Sequence, residues 1–359
     1  MIRIEKLRDE LKKRNIDAFI SSEPLIRRYL SGFTGSTGYA VISQEDMAFA
    51  TDFRYFEQAA LECPDFNLVK LSKDYTIFDY LREKQFKHIA IEETFMTVDI
   101  YHSLTKLLPD VHIAYGLDLI NEIRRIKSAD EIELHRESCE ITNKIISDFF
   151  EFAEPGISEI ELNDFVLDKV RKYGADNCFF EPITLTGPRT SLCHGKPTER
   201  KLQSGDFLLI DMGVNYKGHA SDVTRTAVIG KASGKQKEIY NIVLEAHMAS
   251  LEQIKTGMTA FEADRIARDI ISKAGYGEYF NHALGHGFND GLILRDNHAV
   301  SDTVLQENMV FTIEPGIYIP GLGGVRIEDD VVLTKDGCRS LCTYPKELLE
   351  LDSGPKRQI

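Results

Sequence analysis

Five residues in the C-terminal half of this 359-residue chain have the types and spacing to hold divalent cations: Asp211, Asp222, His286, Glu314 and Glu328. Asp211 and Asp222 lie in two apolar runs joined at NYKG (215–218), the pattern of a β-hairpin. They are equidistant from the Tyr216–Lys217 midpoint, so an even-length turn there sets them opposite each other, Cβ atoms about 5 Å apart. A second hairpin pattern runs through IPGLGG (319–324), and Glu314 and Glu328 are equidistant from its Gly321. Opposed carboxylates repel, and one is driven to keep its proton unless a cation lies between them. Four carboxylates and one imidazole form a mostly hard-oxygen ligand set. Such a set suits a pair of divalent first-row ions, bridged by carboxylates and a hydroxide.

Each piece alone has a plain structural explanation. An Asp in a hairpin is usually a turn residue or part of a solvated face. His282 and His286 have the i, i+4 spacing of a helical zinc pair, but Gly285 and Gly287 argue against a helix there. The joint pattern is far more specific: D-x-G, SDVTRT, GHG, EPG and RIED, in that order. On these motifs the chain resembles the pita-bread-fold metallopeptidases, most closely the Xaa-Pro dipeptidases (prolidases) and aminopeptidase P, and the resemblance covers nearly all of it. It implies that Asp211, Asp222, His286, Glu314 and Glu328 are metal ligands. It also implies that Glu314 shuttles a proton, that His194 and His282 face the substrate, and that the enzyme is a homodimer.

The implied reaction is hydrolysis of the bond before proline in Xaa-Pro dipeptides or at the N-terminus of short peptides. A pair of ions would activate a bridging water and polarise the carbonyl. Manganese suits the oxygen-rich set; cobalt, zinc and iron remain open because geometry and availability decide. The chain departs from the family after GHG. A further histidine is expected seven residues past His286, where Ile293 stands, and the usual second glycine is Asn289. The next histidine downstream is His298. This departure keeps open a non-catalytic or weakly active binding protein on the same fold. A metal-free, creatinase-like amidinohydrolase is disfavoured, because no ligand position is lost. Arg326 reads as support for Glu328 or the cleft wall, or equally as a solvent-facing residue on its strand.

The elements that must position these residues follow from composition and patterning. The chain is long for one core, 43% hydrophobic and 28% charged, so two domains are expected. A net charge of −14 disfavours nucleic acid and anionic membranes as partners. Six cysteines without CxxC or framework spacing, and no leader pattern, point to a reducing cytoplasm. No apolar run approaches ~18 residues, so no membrane span is expected. GFTGSTG (32–38) lacks the GK[ST] of a phosphate loop and reads as turn chemistry.

Helices and strands alternate through residues 1–122, as in a small α/β domain, creatinase-like by the resemblance. Residues 123–359 form the larger domain. Within it Gly156 and Gly257, Ser158 and Thr259, Glu161 and Glu262, and Gly174 and Gly275 are each 101 residues apart. Ser/Thr followed three residues later by Glu is a helix capping box. A constant offset through helix entry, cap and exit predicts a duplicated unit of two helices and a hairpin. The fold expected is therefore α+β, a duplicated α-α-β-hairpin pita-bread domain preceded by the smaller one.

Overall fold

The computed structural model describes residues 2–295 and 302–352. It divides into two compact units, Met1–Arg124 and Arg125–Ile359. The first is built on a six-stranded sheet in the order Asn67–Lys70, Met47–Thr51, Tyr39–Ser43, Ala18–Ser21, His88–Ile91, His112–Tyr115. Tyr39–Ser43 runs antiparallel to both neighbours, and the outer pairs are parallel. The period of two along each strand splits the core between its faces. Phe19, Ala40 and Ile42 pack with the Ile4–Leu7–Leu11 stripe of the first helix, while Ala18, Ile20 and Val41 pack against Leu81 and Leu104.

The second unit is an internal repeat. Helices Glu159–Lys172 and Ala260–Lys273 have both bounds displaced by 101 residues, and each opens on a complete capping box, Ser158/Glu161 and Thr259/Glu262. Gly156 and Gly257 precede them in left-handed conformations, φ 99° and 94°. Their N–H groups donate to Leu202 O and Leu305 O, both at 2.9 Å. Longer helices, Ala129–Phe152 and Gly234–Gln253, precede the pair and open on boxes of their own. Each half then delivers a hairpin. Phe207–Met212 pairs with Val223–Ile229, and Val310–Ile313 pairs with Asp329–Thr334. No described helix is long and apolar enough to cross a membrane.

The second hairpin has the register centred on Gly321. Val310 faces Val332 at its base and Ile319 faces Gly323 near its tip. Glu314–Pro315 and Ile327–Glu328 fall between these two ladders, off the regular pairing. Proline cannot donate, so the ladder breaks where the two glutamates sit. The first hairpin is shifted by one residue from the expected centre. Its turn is Lys217–Gly218, both at positive φ (50° and 85°), flanked by the Tyr216–His219 pair. That is the two-residue turn whose twist matches the strands. Asp211 consequently faces Thr224, not Asp222. Asp222 is a diagonal neighbour on the same face, still within reach of a shared ion.

Candidate metal centre

All seven residues singled out from the sequence line one cavity of about 500 Å³: Asp211, Asp222, His286, Glu314 and Glu328, with His194 and His282. Ligating atoms of Asp222, His286 and Glu328 lie within 4.8 Å of one another. His286 Nε2 is 3.6 Å from Asp222 Oδ2 and 3.5 Å from Glu314 Oε1.

Backbone contacts between the hairpins put them there. Glu314 N–H donates to Leu284 O at 2.8 Å, docking the His286 segment on the second hairpin. His286 N–H donates to Thr312 Oγ1 at 3.0 Å. The approach is close enough that a Cβ on Gly285 would lie 1.9 Å from Thr312 O, which is why GHG needs its first glycine. Glu328 N–H reaches Thr224 O on the first hairpin at 3.1 Å, and Asp222 N–H reaches the Asp330 carboxylate at 3.0 Å. Arg225, buried, donates to Thr224 O and Glu328 O, at 2.9 and 2.6 Å, clamping the hairpins together.

Arg326 is the hub of the cavity floor. It pairs with Asp211 Oδ2, donates to Thr224 Oγ1 at 2.9 Å, and donates to Tyr318 Oη at 2.8 Å. Tyr318 Oη lies 2.9 Å from His282 Nε2, and His282 Nδ1 lies 2.7 Å from Ala283 O. A carbonyl only accepts, so Nδ1 carries the proton and Nε2 accepts from the tyrosine. Burial, with Arg326 nearby, holds His282 down at about 3, so the ring is neutral at pH 7. Its segment is pinned by a second buried pair. Asp264 binds Arg268 and accepts from Leu284 N–H at 2.9 Å, and Arg268 donates to Phe280 O and His282 O.

His194 sits on a different kind of support, the loop following Ile183–Thr186. Fully buried Glu159 binds Arg189 Nε at 2.9 Å and accepts from the N–H and hydroxyl groups of both Thr186 and Thr198. The matching residue of the second repeat is Ala260, one position inside its helix cap, so the two halves diverge where the first must anchor this loop.

The electrostatics fit a cationic occupant. Burial raises Asp222 well above the usual carboxylate range, reinforced by Glu328 and Asp211. Glu328 is raised by burial and by Glu314 and Asp211, and Glu314 is pushed up to about 7, chiefly by burial. Asp211 Oδ1 is buried with no hydrogen-bond partner. An orphaned carboxylate oxygen facing three acids that resist ionisation is costly in metal-free protein. A divalent cation relieves both defects.

Carboxylates whose folded pKa is raised contribute stability fully present below the unfolded value and lost as pH rises through the folded one. For Glu314 that window runs from 4.5 to about 7. The melting gain that Mn²⁺ gives over chelated protein should therefore be several degrees larger at pH 8 than at pH 5. Differential scanning calorimetry checks this; an equal gain at the two pH values would contradict it. Buried His135, His247 and His282, held down at about 3, 4 and 3, act in the opposite sense below pH 6.5, but with and without metal alike, so the Mn²⁺-dependent gain isolates the carboxylates.

Over residues 285–294 the segment that departs from the family pattern forms a tight hairpin. Gly285 and His286 pair with Leu294 and Ile293, and Asn289 and Gly291 take positive φ at the turn. Asp290, almost fully buried, pairs with Lys127, and Arg125 Nε donates to its carbonyl at 2.9 Å. Ile293 stands directly across from His286, so a side chain there neighbours the imidazole. His298 lies outside the described residues.

Metallopeptidase family M24 matches residues 133–335, and the creatinase/prolidase N-terminal domain matches 3–126. The chain belongs to metallopeptidase family M24. The Xaa-Pro dipeptidase of Pyrococcus furiosus is 37% identical, over 97% of this chain and 99% of its own. Among solved structures, an Xaa-Pro dipeptidase from Bacillus anthracis superposes with a TM-score of 0.90 at 38% identity, covering 98% of this chain and 99% of its own. The prolidase of Pyrococcus horikoshii gives 0.91 at 35%, covering 97% and 100%. This M24 chain is thus a metallopeptidase with the pita-bread catalytic fold, and the relatives do not favour the non-catalytic reading. Sequence reasoning missed Tyr318, although alternation from Glu314 places it on the same strand face. It also missed Asp330, whose contact with Asp222 spans 108 residues and leaves no local signal.

Proposed function

We propose that this enzyme hydrolyses the peptide bond preceding proline, with two divalent ions held by Asp211, Asp222, His286, Glu314 and Glu328. One observation carries the reading: these five side chains and two histidines line a single cavity that also has an apolar wall, Phe179, Phe180, Pro182 and Ile183. Bound ions would supply a nucleophile from water at neutral pH and a Lewis acid for the carbonyl oxygen. Glu314 is the proton carrier, a role the family resemblance gives it and its opening onto the cavity permits. It would pass its proton to the leaving proline nitrogen. Neutral His282, whose Nδ1–H is taken by Ala283 O and whose Nε2 accepts from Tyr318, lies 3.8 Å from Glu314 and shapes the wall beside that carboxylate. His194, on its pinned loop, offers a second imidazole to the same cavity. The apolar wall suits a pyrrolidine ring, which has no N–H to satisfy once acylated.

Manganese is the metal we assign on ligand hardness. Six free cysteines support a reducing cytoplasm, and the homodimer is carried by resemblance alone. The reading is tested by metal analysis together with turnover of an Xaa-Pro panel. Two ions per chain and cleavage confined to Xaa-Pro bonds are expected; a fully loaded protein that cleaves none refutes it. Ile293→His should raise kcat/KM, by as much as ~10², because it restores a donor beside His286. An unchanged value would mean the tight hairpin has made that donor unnecessary.

A further inference from the structure

Among the described residues lining the cavity, acids outnumber lysines and arginines. Five are acidic (Asp211, Asp222, Glu314, Glu328 and Glu181) and two are Lys or Arg. One of these, Arg326, is consumed: it is buried and engaged with Asp211, Thr224 and Tyr318. The other is Lys196, whose side chain is 85% exposed and whose ion-pair partner, Glu181, lies at 3.8 Å on the cavity wall. Lys196 is not presented from a loose loop. Its carbonyl accepts from Arg189 Nη2 at 2.7 Å, Pro197 follows it with φ locked, and Thr198 is held by buried Glu159 through N–H and hydroxyl at 2.9 and 2.8 Å. The backbone is therefore held by hydrogen bonds on both sides of the exposed side chain.

A dipeptide ending in proline carries its carboxylate two bonds from the scissile nitrogen, so the charge must enter this cavity with the substrate. In a longer peptide that carboxylate is an amide. We propose that Lys196 receives the C-terminal carboxylate of a dipeptide substrate and so sets a preference for Xaa-Pro dipeptides over longer chains. This rests on the Xaa-Pro reading above. Glu181 is the resting partner that the substrate carboxylate displaces. A contact of this kind, on an exposed side chain, acts in ground state and transition state alike, so it appears in KM rather than kcat.

The test compares Ala-Pro, Ala-Pro-amide and Ala-Pro-Ala with the Mn²⁺-loaded enzyme and its Lys196→Met, Lys196→Arg and Glu181→Gln variants. Both positions are exposed, where substitution rarely threatens folding. Wild type should favour the free acid, and Lys196→Met should raise KM for Ala-Pro about tenfold with kcat little changed. The amide and the tripeptide should be unaffected. Lys196→Arg should retain the preference, and Glu181→Gln should lower KM for the acid by removing a competitor. An acid-to-amide ratio that is the same in wild type and Lys196→Met, with both substrates cleaved, overturns the assignment and leaves the Xaa-Pro reading standing. A wild-type enzyme that cleaves none of the three overturns both.

Discussion

Glu314→Gln should lower kcat by at least ~10², the scale of general acid–base catalysis, while the fold survives. Glutamine preserves the shape and the acceptor that takes the Thr312 hydroxyl at 3.2 Å, but it carries no transferable proton. Because Glu314 is also a proposed ligand, metal content must be read beside the rate. A variant holding both ions yet turning over slowly locates the defect in proton transfer. One that has lost an ion locates it in coordination. Near-full activity with both ions bound would remove Glu314 from the mechanism.

Arg326→Met should destabilise the metal-free protein by about 3–5 kcal/mol, the cost of leaving a buried charge without its partner. In this unit that corresponds to a melting shift on the order of 10 °C. The arginine is almost fully buried and serves Asp211, Thr224 and Tyr318 together; through Tyr318 it also sets the His282 tautomer. Methionine retains some of the volume and none of the donors. The deficit should shrink when divalent ions are added, since they compensate Asp211 by another route. Paired melts with and without Mn²⁺ decide the point. An equal deficit in both would show that the loss comes from packing and not from charge.

Much of the architecture is legible in local chemistry. Capping boxes and left-handed glycines act within a few residues, so the 101-residue repeat and its helix bounds could be read from spacing alone. The Gly321-centred register was readable for the same reason: a turn sets its own pairing. The first hairpin shows the limit of that logic. NYKG admits two centres one residue apart, and the positive φ of both Lys217 and Gly218 chose the later one, turning an opposed Asp211–Asp222 pair into a diagonal one.

Motif order alone was enough to point to the family. It did not reveal what holds the motifs in place. Asp330 beneath Asp222, Asp264–Arg268 under His282, Glu159–Arg189 behind His194 and Lys127–Asp290 at the tip of the His286 hairpin are buried charges that read as surface residues in sequence. A charged side chain is buried only where a partner is already in place, and for Lys127 and Asp290 that partner is 163 residues away. Residue type and short spacing therefore determined which groups this chain could bring to a metal. Long-range packing decided which carboxylate faces which and which histidine is neutral.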